Sequence, residues 1–150
     1  MNERNYTSKR YSILKALSNK LKEIDGSGNY ITNVWKNVEP KMVFWDEIEE
    51  YPAIRMSLGS ETRVYQGGGY KDRYLSVTVR CYIKEERSQE ALESLLEDIE
   101  TVIEQNGRLD YQDSSEATQH TQDILIVSID TDEGALAPIA VGEVLLQIRY

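Results

Sequence analysis

One cysteine, one histidine and one phenylalanine are all that this chain of 150 residues holds of those three types. The lone Cys81 excludes a disulfide framework within the chain and fits a reducing compartment. No apolar run approaches the roughly 18 residues that cross a bilayer, so no membrane partner is expected. Met1–Tyr6 lacks the apolar core of a secretion signal, so no leader is expected either. Positive charge is also short: 17 Lys and Arg stand against 26 Asp and Glu, a formal charge of -9. A general nucleic-acid binder needs basic patches to displace counterions, and an acidic chain repels phosphate. That balance does not exclude a protein through which DNA merely passes.

What is present fits one globular domain over residues 1–150. The hydrophobic fraction is 40% and the charged fraction 29%, values of a chain that buries a core. Ten tyrosines accompany the single phenylalanine. Tyrosine joins apolar area to a polar tip, which suits surfaces that become half-buried at interfaces.

Leu14, Leu17, Leu21 and Ile24 share one helix face and predict a helix over about residues 8–24. Thr7 or Ser8 suits its N-cap and Gly26 its stop. Asn29–Glu39, with Tyr30, Ile31, Val34, Trp35 and Val38, reads as a strand that Pro40 ends. Met42–Ile48 reads as a short strand or one helical turn. Pro52 introduces a strand over Ala53, Ile54, Met56 and Leu58. Leu75, Val77, Val79, Cys81 and Ile83 alternate with polar residues in the clearest strand. A second helix begins near Ser88, with Leu92, Leu95, Leu96, Ile99, Val102 and Ile103 inward, and Gly107 stops it. Leu109–Gln122 reads as a polar linker. Ile124–Ile129 reads as a buried strand, Asp132–Gly134 as a turn, and Val141–Tyr150 as the last strand. The order and the alternation predict an α+β fold: a mixed, mostly antiparallel sheet with two main helices packed on one face. Leu95, Ile99, Val77, Val79 and Ile126 are expected between the second helix and the sheet.

Between the second and third strands, Gly59–Arg73 is polar and contains Gly67, Gly68 and Gly69. Such a stretch predicts a mobile loop that a partner orders. Its flanks, Arg63, Tyr65, Tyr70, Lys71 and Arg73, are residue types that gain most from partner contact. These residues, with the three glycines, are the candidate partner-binding set; the plainer alternative is a hairpin tip.

Catalytic constellations are poor. His120 lies in the polar linker, and Cys81 faces the apolar side of its strand, where a thiol is inert. No nucleophile elbow accompanies His120. Asp46, Glu47, Glu49 and Glu50 lack calcium-loop spacing, and Asp130, Asp132 and Glu133 suit a turn better than a metal site. The glycines match no phosphate loop. No catalytic residue, metal or cofactor is therefore expected.

In this layout the chain resembles the tail terminator (tail completion) proteins of long-tailed bacteriophages. The likeness is carried by the leading helix before Tyr51-Pro52-Ala53-Ile54-Arg55-Met56, the polar hairpin into Leu75–Ile83, the Glu-rich second helix, and Ile126–Gly134 leading to Glu143–Tyr150. The resemblance implies a structural protein of the virion tail and neck, assembled in the bacterial host cytoplasm. It implies a self-associating ring, usually of six copies, that caps the tail tube protein and stops tube growth. It also implies a docking face for a neck or head-completion protein, with DNA crossing the lumen. The long linker Leu109–Gln122 departs from the pattern. Three other readings stand beside it. They are another neck or head–tail joining protein, a small metal-dependent hydrolase, and an acidic mimic of nucleic acid.

Overall fold

A computed structural model describes residues 8–113, 115 and 117–150. The first helix, α1, spans Lys9–Leu21. Ser8 is extended, and its hydroxyl accepts the Tyr11 N–H at 3.3 Å, satisfying one of the free amides of the first turn. Ile13, Leu14, Leu17 and Leu21 are buried, and Ile24 follows them inward after the helix has ended.

The expected strand over Asn29–Glu39 shrinks to Val38–Glu39 (β1). Apart from one bridge between Asn33 and Asp25, the rest does not join the sheet, because its amides are taken elsewhere. Ile31 and Thr32 N–H donate to the carboxylate of Asp98, at 2.9 and 2.7 Å. Trp35 and Lys36 also take φ of 49° and 60°, which breaks an extended run. Of the two readings of Met42–Ile48, the helical turn is the one found, over Trp45–Glu47.

The largest correction concerns Gly59–Arg73. It is not a loop. β2 runs Ala53–Tyr65 and β3 runs Lys71–Lys84, paired antiparallel from Ala53–Tyr82 out to Tyr65–Lys71 with one bulge between Leu58 and Glu61. Only the turn through Gly67–Gly69 separates them.

Helix α2 spans Ser88–Gln105 and buries Leu92, Leu95, Leu96, Ile99, Val102 and Ile103, the stripe its spacing predicts. The polar linker contains a small ribbon, β4 (Asp110–Gln112) against β5 (Thr118–His120). Buried Thr121 closes that ribbon: its hydroxyl accepts the Leu109 N–H at 2.8 Å and donates to the Gly107 carbonyl at 2.9 Å. Strands β6 (Asp123–Thr131) and β7 (Ile139–Arg149) follow, joined by a turn in which Glu133 and Gly134 have positive φ.

The main sheet has the order β1-β2-β3-β7-β6, antiparallel throughout except for β1 against β2. Ile54, Met56, Val77, Val79, Val144 and Leu146 share one face and one core cluster with both helices. The fold is thus α+β with the helices on one side. Gly142 allows the close approach of α2, since a Cβ there would lie 3.1 Å from Cys81 Sγ, Leu92 Cδ1 and Leu96 Cδ2. On the other face Tyr82 is buried with Ala53 and Ile48, its hydroxyl donating to the Val43 carbonyl at 2.7 Å.

β6 departs from its expected burial. Ile124 is inside, but Ile126 is only half-buried, and Leu125, Val127 and Ile129 are 53%, 57% and 43% exposed. A strand at the sheet's edge, bulged between Ile126 and Ser128, leaves much of its apolar surface wet.

Candidate assembly interface

The hairpin β2–β3 outruns the sheet that supports it. β7 pairs with β3 only from Tyr74 inward, and β1 covers β2 only at Ile54 and Arg55. Beyond those points the two strands form a ribbon outside the sheet, tied at its base where the Tyr150 N–H donates to the Arg73 carbonyl at 3.2 Å. All eight residues of the candidate partner-binding set lie on this ribbon. The turn needs glycine, since Gly68 and Gly69 have φ of +76° and +82°. The Gln66 N–H donates to the Tyr70 carbonyl at 2.7 Å and closes the tip. Tyr65 and Tyr70 stand 71% and 75% exposed there.

Register sorts the arm into two faces. Glu61 pairs with core-facing Leu75, so Arg63–Arg73 and Tyr65–Lys71 lie on that same side, the side of the helices. Arg63 and Arg73 are directly opposite, a like-charge pair that costs stability unless something answers it. Two groups do. Glu61 takes Arg63 at 2.6 Å, with Arg10 of α1 at 3.9 Å on its other side. The Arg73 guanidinium lies 5.3 Å from the ring centroid of Tyr150, and Tyr111 meets that ring edge-on at 6.4 Å. Tyr150 also donates its hydroxyl to Glu61. Lys71 hovers 5.9 Å over the Tyr65 ring.

The base of the arm carries two shifted ionisations of opposite sign. Burial pushes Glu61 upward, but the hydrogen bonds of Tyr150 and Arg63 and the charges of Arg63 and Arg10 outweigh it and leave its pKa lowered. Burial, then the hydrogen bond to a carboxylate, pushes Tyr150 up to about 12. Sequence reading missed Glu61, Tyr150, Tyr111 and Arg10 as members of this site. Only their distant pairing in the fold brings them together.

The described residues place the candidates for catalysis as follows. Cys81 is fully buried, and burial pushes its thiol up to about 12. His120 is exposed on the β4–β5 ribbon beside Asp110, at the end of a strand rather than in a loop. Asp132 spends its oxygens on the Leu136 and Val141 amides, at 3.1 and 3.2 Å, and so builds its turn. Asp46, Glu47, Glu49 and Glu50 are exposed. Among the described residues no three His, Cys, Asp or Glu converge as a metal site would require. A concavity of about 310 Å³ lies on the sheet face away from the helices, between Phe44, Trp45, Tyr82 and the Arg80–Glu143 pair.

A family profile described as Bacteriophage Tail Tube Terminator Protein matches residues 7–150. The chain belongs to that family. It is therefore a tail terminator, a structural component of tail assembly in the phage virion. It is similar to the tail tube terminator protein p142 of Escherichia phage T5, with 36% identity over 149 residues, 94% of this chain and 92% of that protein. It is also similar in fold to a chain from the virion of a native gene transfer agent particle, at a TM-score of 0.57 and 9% identity. That match covers 93% of this chain and 94% of the other.

Proposed function

We propose that copies of this terminator close into a ring, of six by the family resemblance, that caps the finished tail tube. Capping ends tube growth and presents the neck or head-completion protein with a docking face. DNA crosses the lumen without specific binding, as a chain of formal charge -9 favours. The observation that carries this reading is the family match over residues 7–150 on a subunit with two unlike free edges. A projecting arm on one side and an open strand on the other make head-to-tail contacts, which close into a ring when the rotation returns on itself. The protein works by contact and not by catalysis. Arg63, Tyr65, Gly67–Gly69, Tyr70, Lys71 and Arg73 form its contacting arm.

The test joins microscopy to a growth assay. Negative-stain images of the purified protein, alone and with purified tube protein, are expected to show closed rings, free or at tube ends. Adding the protein during tube polymerisation is expected to arrest elongation. Tubes that lengthen unchanged at saturating terminator, with no density at their ends, would overturn the proposal.

A further inference from the structure

We infer that the outer edge of β6 is the seat for the β2–β3 arm of a second copy, so that the sheet of one subunit continues into the next. The inference rests on the ring reading above and deepens it by naming the two surfaces that meet.

Four observations carry it. First, both edges are open: among the described residues no strand lies outside β6, and none lies outside β2 beyond Arg55. Open edges offer amides and carbonyls to a further strand. Second, strand directions agree. β2 and β7 run one way, β3 and β6 the other. A copy whose helices lie on the same side of the continued sheet therefore presents β2 antiparallel to β6, continuing the alternation already in the sheet.

Third, the apolar surfaces match in need. Leu125, Val127 and Ile129 on β6 are all more than two-fifths exposed, as are Val64, Tyr65 and Tyr70 on the arm. Fourth, the charges complement each other on the same face. From Ser88 to Gln105, α2 carries five exposed glutamates and neither lysine nor arginine. Glu93, Glu97 and Glu100 rim a groove whose floor is Leu96 and Ile129. Their i,i+3 and i,i+4 spacing sets like charges together, which an isolated helix tolerates poorly. The acids toward the helix C-terminus also oppose its dipole. The arm answers with Arg63, Lys71 and Arg73 on the helix side of its own sheet. When the sheet continues, that side and the α2 side coincide. A stagger between copies, which closed sheets of tilted strands require, sets the projecting tip alongside β6.

Paired cysteines test this directly. In one chain β2 and β6 are separated by β3 and β7, roughly 14 Å apart at three strand spacings, which is too far for a disulfide. Chains with Thr62→Cys or Val64→Cys are combined with Leu125→Cys, Val127→Cys or Ile129→Cys, in one chain or in two mixed chains, and oxidised. The native Cys81 is buried and does not compete. Double variants are expected to give a ladder of covalent oligomers on a non-reducing gel, and mixtures of single variants to stop at dimers. Lys71→Glu is expected to weaken the ladder several-fold, and adding Glu97→Lys to restore it. Native mass spectrometry of the wild type separates the two failures. Wild-type rings without a cross-link from any combination would overturn this interface and leave the ring standing. A wild type that stays monomeric, alone and on tubes, would overturn both.

Discussion

The inner and outer halves of the β2–β3 hairpin are the same two strands under different regimes. Ala53–Leu58 pairs with Val77–Tyr82 under both helices, and Ile54, Met56, Val77 and Val79 are fully buried. Beyond Glu61 and buried Leu75, Thr62–Tyr65 pairs with Lys71–Tyr74, and its residues on β2 are exposed. The inner half is stabilised by apolar burial, which is non-directional and worth about 25 cal/mol per Å². The outer half is held by its backbone ladder and by the anchors at its base, Glu61, Tyr150 and Tyr111. A strand pair does not need a core along its whole length. Where it leaves the core, its side chains are free to serve a partner.

The sharpest way to break this comparison is to damage the inner half. Met56→Ala and Leu95→Ala remove fully buried side chains beneath the sheet, and each should cost about 2–5 kcal/mol in urea unfolding. Changes near zero would mean that the helices do not pack where the fold puts them. A smaller loss is expected at Asp98, which is buried and holds the amides of Ile31 and Thr32. Asp98→Ala should cost about 1–3 kcal/mol by leaving those donors unsatisfied. Hydrogen exchange should show both amides losing protection while the sheet keeps its own.

The same contrast explains what was legible in the sequence. Leu75–Ile83 and the α2 stripe could be read because burial writes a period into the chain, 2 for the strand and 3.6 for the helix. The arm could not, because a ladder of backbone bonds leaves no period. Arg63, Tyr65, Lys71 and Arg73 therefore read as a loop. Their residue types are those that gain from partner contact, which is why the arm stands as the candidate interface. Tyr30, Ile31, Val34 and Trp35 misled in the other direction. Their β propensity is real, but Asp98, more than sixty positions away, claims the amides. For β6 the apolar run Ile124–Ile129 was plain. Its place at the edge is a matter of topology, which the run does not carry.

Alkali should loosen the base of the arm. The folded pKa of Tyr150 is raised from an ordinary 10.0 to about 12, so the folded state holds that proton more tightly than the unfolded chain. Its contribution is complete below pH 10 and is lost as pH rises from 10 towards 12. Glu61 has the opposite sign. Its pKa is lowered from 4.5, so its contribution is present above that value and is lost as pH falls through the folded pKa. Tyr150→Phe should abolish the alkaline decline in melting temperature that Tyr150 causes, while sparing the inner core. An unchanged decline would place the titrating group elsewhere.

The smallest effect on stability should accompany the largest effect on assembly. Arg63 and Arg73 are directly opposite, so Val64–Asp72 can be replaced by an Asn-Gly turn between them, which removes the tip and keeps both anchors. The loss in stability should stay within about 1 kcal/mol, since only a few exposed cross-strand pairs disappear. The decisive measurement is the oligomeric state and tube-capping activity of this shortened protein beside its melting temperature. The account predicts a subunit that melts close to the wild type but forms no rings and no longer arrests tube growth. A shortened protein that still closes into rings and caps tubes at wild-type concentration would show that the arm is only a hairpin tip.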